Sequence, residues 1–228
     1  MIGIIAAMQK EMENIRDRMD SPACERVGGV DFVAGKIGGC DVVCSVCGIG
    51  KVFAAMCAEA MIIKYAPELI INTGVGGTLT AELGIGDVAV SSAVCQHDMD
   101  TTAIGDEPGL ISGINQVYFN ADEKHASLIE DIAAEMGVKT HRGVIASGDK
   151  FVASAADKER ITSLFGAISC EMEGGAVGHV CYVNETPFVI VRAISDSADG
   201  EAVEDYPAFA AKSARVSADI VCALAERM

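Results

Sequence analysis

The chain has 228 residues, half of them hydrophobic and 5% aromatic, with a formal net charge of −16. That much aliphatic material builds a sizeable core without disulfide or metal staples, and that much negative charge, unrelieved by a basic patch, argues against a nucleic-acid partner. The opening "MIGIIAAM" meets Gln9, Lys10 and Glu11 too soon for a secretory segment or a membrane span, so a soluble, cytoplasmic protein without membrane contact is expected.

Apolar runs of strand length alternate with helical patterns. Residues 2–8 read as a strand and 10–19 as an acidic helix. Residues 31–37 and 41–50 read as strands on either side of the Gly38-Gly39 turn. Residues 51–65 carry a long helical period that stops before Pro67. Strands follow at 68–77 and 86–98, then a glycine-rich loop, then a helix over 121–137 with Asp122 near its start. Residues 143–152 read as strand and loop, 156–166 as a short helix, 167–173 as a strand and 174–184 as a helix. A strand over 187–196 and a final helix from about Tyr206 close the chain. The strands are apolar throughout rather than alternating, which suits a sheet covered on both faces. The expectation is one α/β domain over residues 1–228, with a mixed central sheet between helices.

Nine cysteines, an odd number in a chain of this size, suggest reduced thiols rather than a disulfide framework. "CDVVCSVC" has the spacing of an iron–sulfur ligand run. Strand geometry argues against it, because Cys44 and Cys47, three apart, point to opposite faces.

In α/β folds, ligands sit outside the carboxyl ends of the strands. Polar and glycine residues gather there repeatedly: Met8 and Glu11, "TGVGG", "SGDKFV", "EME" and "RAISD". "TGVGG" lacks the third glycine of a dinucleotide fingerprint, and "CGIGKV" lacks the spacing of a P-loop. The carboxylates carry more. Glu11, Glu173 and Asp196 each follow a strand end, although a helix cap would explain Glu11 or Asp196 equally well. Arg192 lies in a buried strand and needs a carboxylate partner. Of the four histidines, only His97 at a strand end merits attention.

The blocks "IGIIAAMQKEM", "GIGKVFAA", "IINTGVGG", "GDVAVS", "QHDMDTTAIG", "ASGDKFV", "EMEGGAVGHV" and "VRAISDSAD" run in order across nearly the whole chain. In them the chain resembles the nucleoside phosphorylase/hydrolase fold and, within it, the bacterial 5′-methylthioadenosine/S-adenosylhomocysteine nucleosidases. The resemblance implies hydrolysis of an N-glycosidic bond to adenine, with a small nucleoside as partner and no cofactor or metal. It implies that Asp196 is the general acid at purine N7, and that Glu11 activates water with Arg192 alongside, the two paired. Glu173 would hold the ribose hydroxyls, Met172 would lie under the sugar, Phe151 would stack on adenine and the Val152 backbone would read its edge. Tyr206 would lie near the 5′-substituent, and Met8, Ile49, Gly76, Gly77 and Ser195 complete the implied binding set. The resemblance also implies a homodimer in which residues 101–118 line the neighbour's 5′-pocket. The apolar Ile104, Leu110, Ile111 and Val117 of that loop would otherwise form an exposed patch.

The chemistry agrees with these roles. Adenine leaves poorly until N7 is protonated, and its departure leaves an oxocarbenium-like ribose that nearby negative charge stabilises. One departure from the family pattern is Val75, where a serine is usual after "NTG". Three rivals remain. A phosphorylase would need arginines in the loops "AAMQKE" and "INTGVGG", and neither has one. An aminodeoxyfutalosine hydrolase would differ in its 5′-pocket. A silent nucleoside-binding module would not need Glu11, Glu173 and Asp196 together.

Overall fold

Strand β1 (Ile2–Ala6) is buried at every position and runs parallel to β4 (Cys40–Val46) on one side and β5 (Leu69–Thr78) on the other. Its uniform apolarity follows from that place, since both of its faces are covered. Ile2, Ile4 and Ala6 belong to the core that also holds residues of α1 (Gln9–Arg16), α3 (Glu123–Glu135) and α6 (Tyr206–Arg227). Ile5 faces the other way, toward α2 (Lys51–Tyr65) and α5 (Gly174–Val183). Cys44 and Cys47 likewise fall into opposite cores. The computed structural model describes the backbone of residues 1–197 and 206–228 and the side chains of 1–197 and 210–228.

From β1 the sheet extends outward through β4 and β3 (Val30–Ile37) to β2 (Asp20–Val27), the edge. The sequence pattern leaves β2 unassigned, and its burial explains why. It pairs with β3 and is exposed along nearly its whole length. With no face in the core, it carries no hydrophobic period, and it tolerates Pro22 as an edge strand does.

On the other side the sheet curls. β5 pairs with both β9 (Ala167–Glu171) and β10 (Phe188–Asp196), and β10 also pairs with β6 (Val88–Gln96). β6 pairs with β8 (Thr140–Ser147), and β8 with β9. These strands therefore close into a ring, a closure on which the apolar pattern of the single strands is silent. The short β7 (Phe119–Asn120) adds to β6. Helix α4 (Ala155–Phe165) covers a smaller core at the β8–β9 side. Ring closure brings the ends of β5, β8, β9 and β10 to one place.

The loop over 101–118 differs from expectation. Ile104 is exposed, but Leu110, Ile111 and Val117 are partly buried, the last two against the chain's own cores. The larger uncovered apolar surface lies on α2, at Val52, Phe53, Met56 and Ile63.

Candidate active site

One cavity opens where β1, β5, β9 and β10 end. Its volume is about 120 Å³, against roughly 10–15 Å³ for a single water, so it has room for more than a solvent molecule. Its lining includes Met8, Glu11, Ile49, Gly76, Gly77, Phe151, Val152, Met172, Glu173, Ser195 and Asp196. Every site residue nominated from the sequence is in that set except Arg192 and Tyr206. The side chain of Tyr206 lies outside the described residues. Arg192 lies beneath the floor.

Glu11 occupies the third position of α1, and its side chain bends back over the helix start. One carboxylate oxygen accepts the Ala7 and Met8 N–H groups at 3.0 and 2.9 Å, and the other accepts the Val75 N–H at 3.1 Å. The capping alternative is therefore correct in geometry, yet the same carboxylate faces the cavity. Gly74 makes room for it, since a Cβ there would lie 2.6 Å from the Glu11 oxygen. Burial pushes the Glu11 carboxyl above its ordinary value, while the Arg192 charge and the backbone donors pull against that rise.

Arg192 is 1% exposed. The expected pair with Glu11 is not its hydrogen bond. Its guanidinium instead donates to Glu171 and to the Asn72 side chain, with Glu173 at 3.8 Å. The topology explains the correction: β9 and β10 both flank β5, so Glu171 at the end of β9 faces Arg192, while Glu11 is occupied by backbone donors. Arg192 still acts on Glu11 through its charge.

Glu171, which the sequence reading did not nominate, is the best-anchored acid of the site. It accepts from the Ser147 hydroxyl, from Arg192, and from the Glu173 and Gly174 N–H groups at 3.0 and 2.7 Å. Those last donors belong to the start of α5, whose dipole also favours a negative charge. Burial opposes ionisation of Glu171, but Arg192 and these donors outweigh it, so its carboxyl is held below the usual range. Glu173 takes the opposite course. Burial, and then the Glu171 charge, push it up to about 7 against the pull of Arg192 and of the Gly50 N–H. One guanidinium lies between two carboxylates, and Glu171 holds it. The signal in the sequence was the "EME" spacing itself, which suits two acids on one side of a strand end.

Asp196 ends β10. A register shift between Ile194 and Asp196 in the β5–β10 ladder turns this end toward the cavity, as bulges commonly do beside sites. The Ser195 hydroxyl donates to Asp196 at 2.9 Å. Phe151 stands half exposed at the mouth. His97 is buried and contacts Arg160, but it does not line the cavity. Lys150 does line it, with its ammonium 2.8 Å from Asp157.

The family model of the phosphorylase superfamily matches residues 1–226. A 5′-methylthioadenosine/S-adenosylhomocysteine nucleosidase of Shewanella sediminis is 38% identical over 229 aligned residues, covering 100% of this chain and 99% of that protein. The solved structure of the Neisseria meningitidis nucleosidase of the same name, in complex with methylthio-immucillin-A, superimposes with a TM-score of 0.95 at 33% identity, covering 100% of this chain and 99% of that one. A futalosine hydrolase of Helicobacter pylori superimposes with a TM-score of 0.94, also at 33% identity, covering 100% of this chain and 97% of that one.

Proposed function

The chain belongs to the phosphorylase superfamily and, within it, to the 5′-methylthioadenosine/S-adenosylhomocysteine nucleosidases; we propose from that premise that it hydrolyses the N-glycosidic bond of these nucleosides, releasing adenine and the 5′-thioribose. The observation that carries this reading is the convergence of Glu11, Glu173 and Asp196 on one cavity with Phe151, Val152 and Met172.

In the proposed reaction Asp196 gives a proton to purine N7, and the C1′–N9 bond breaks with its electron pair passing to adenine. Water attacks C1′ and yields its proton to Glu11. Glu173 holds the ribose hydroxyls. The buried groups at the floor are the carboxylates Glu11, Glu171 and Glu173 against the single guanidinium of Arg192. Glu171 balances Arg192, so the ionised forms of Glu11 and Glu173 leave a net negative charge that favours the oxocarbenium-like transition state over the neutral substrate. Val75, in place of the usual serine, contributes its backbone N–H to Glu11 and leaves water placement to that carboxylate.

Water rather than phosphate is the proposed nucleophile. Of the cations at the cavity among the described residues, Lys150 faces Asp157 and Arg192 is held by Glu171. Neither is arranged as a bidentate clamp on a dianion. Incubation with methylthioadenosine, with and without phosphate, should yield adenine and free methylthioribose at the same rate. Methylthioribose-1-phosphate as the main product, or a rate proportional to phosphate, would restore the phosphorylase reading.

A second reading, hydrolysis of a futalosine-type nucleoside, is supported by the likeness to the Helicobacter pylori futalosine hydrolase. The two readings share the same chemistry at C1′ and differ in the 5′-group. Comparison of kcat/KM for methylthioadenosine and aminodeoxyfutalosine decides between them. The same proposal takes residues 1–228 as one catalytic domain working as a homodimer in the cytoplasm. Support comes from the uncovered apolar face of α2 and from nine free cysteines, as expected of a reducing compartment.

A further inference from the structure

Beside the cavity, but outside its lining, Lys51, Asp98 and Asp149 form a closed ring of hydrogen bonds. The Lys51 backbone N–H donates to Asp149 at 2.8 Å, and the Asp149 N–H donates to Asp98 at 2.9 Å. The Lys51 ammonium closes the ring on Asp98 at 2.5 Å and also reaches Gln96 at 3.3 Å. The motif blocks "GIGKVFAA", "QHDMDTTAIG" and "ASGDKFV" each contribute a residue to it, and none of the proposed chemical roles uses these residues.

The ring joins the two rims of the cavity. Gly50, which precedes Lys51, is the N-cap of α2 and offers the helix no side-chain acceptor. Asp149 supplies that acceptor from another loop. The neighbouring N–H, that of Gly50, donates to Glu173 at 2.9 Å. Successive amides of one loop are thus gripped by Glu173 inside the cavity and by Asp149 outside it. Ile49 lines the cavity on one side of this grip, and Phe151 and Val152 follow Asp149 on the other. A Cβ at Gly50 would come within 3.0 Å of the Asp149 carboxylate, and the Gly50 backbone has φ +98, so a side chain there is disfavoured twice over.

We propose that Asp149, held by Asp98 and Lys51, is a positioning residue that sets the Gly50 N–H against Glu173 and fixes the Phe151 segment opposite it. The inference rests on the nucleosidase reading of the cavity. If the acceptor is lost, the Gly50 N–H drifts from Glu173, and the carboxylate loses a donor that favours its ionised form. The other groups facing Glu173 stay in place: Glu171 from β9, Arg192 from β10, Glu11 from α1 and Cys47 beyond β4. Ionised Glu173 then requires a higher pH.

The test compares wild type, Asp149→Ala, Asp149→Asn and Asp98→Asn in adenine release from methylthioadenosine over pH 5–9. The asparagine at 149 keeps a carbonyl acceptor for the Lys51 N–H. Asp149→Ala should raise KM about tenfold with a smaller fall in kcat. It should also move the ascending limb of kcat/KM upward by about half a pH unit or more. Asp149→Asn should recover KM to within about threefold of wild type. Asp98→Asn should shift KM and the limb in the same direction as Asp149→Ala. It provides the same readout if the alanine variant does not fold. A wild-type KM and limb in Asp149→Ala, or in Asp98→Asn where that is the variant available, would overturn the inference, as would equal impairment of the alanine and asparagine variants at 149. Failure of the wild type itself to release adenine would instead overturn the nucleosidase reading.

Discussion

At the scale of single residues, the site consists of acids kept in different states by their neighbours. Asp196 is assigned the proton donation to N7, so Asp196→Asn should lower kcat by about two to four orders of magnitude. Activity within about tenfold of wild type would contradict the assignment. Glu173 makes a second prediction, on stability. Its carboxyl is raised to about 7 in the folded chain from an ordinary 4.5. Between those values the native state holds a proton that the unfolded state has released, so stability falls as pH rises through this window and the cost is complete above it. Glu173→Gln keeps an acceptor for the Gly50 N–H and carries no charge. It should therefore raise Tm by roughly 4–8 °C at pH 8, with a smaller gain at pH 5, while losing turnover. Thermal unfolding at both pH values checks it, and a gain that does not shrink on acidification would contradict the assignment. Which residues gather at the cavity was legible in strand-end positions and in the family blocks. The partner of Arg192 was not. Choosing Glu171 over Glu11 requires knowing that β9 and β10 flank the same strand and that backbone amides already occupy Glu11, and neither fact has a local signature.

At the scale of elements, the helix with a capping side chain and a periodic face was readable, since residues 121–137 contain α3 with Asp122 as its N-cap, and residues 51–65, an apolar run ended by Pro67, correspond to α2. The missed element, β2, is the one whose side chains meet solvent, and the missed feature, ring closure, depends on β10 pairing with both β5 and β6. Apolar runs report burial, not partners. Helix α5 shows how tightly the ring constrains sequence. A Cβ on Gly175 would come 2.7 Å from the Cys95 carbonyl oxygen and 2.9 Å from the Ser147 hydroxyl. The first is backbone of a central strand and cannot swing aside. The second is the hydroxyl that donates to Glu171. Gly175→Ala should therefore destabilise the fold by about 1–3 kcal/mol despite the better helix propensity of alanine. It should also lower kcat/KM, because α5 must shift away from the acids its N-terminus supports. Urea unfolding with an unchanged or raised midpoint would show that the packing has slack.

At the scale of the whole molecule, two copies of a chain with net charge −16 repel one another unless a charge-poor surface lets them meet. Helix α2 offers one. Ala54, Cys57, Ala58 and Met61 face the core, yet its outer side carries Val52 at 70% exposure and Phe53 at 55%, with Met56 and Ile63 beside them. A helix apolar on all sides belongs in an interior, and within one chain only half of α2 has one. Ile49, at the start of this surface, also lines the cavity, so whatever covers α2 comes up to the cavity mouth. A second copy is the proposed cover. Wild type should sediment at about twice the 23.7 kDa chain mass. Phe53→Asp places a charge in the patch while touching neither the acids nor the ring at Asp149. It should sediment as a monomer and lose adenine release in parallel, with activity rising toward wild type as protein concentration is increased. Fully active wild type at the monomer mass would remove the dimer from the mechanism. A monomeric Phe53→Asp variant with undiminished kcat/KM would show that the copies meet without completing each other's cavity.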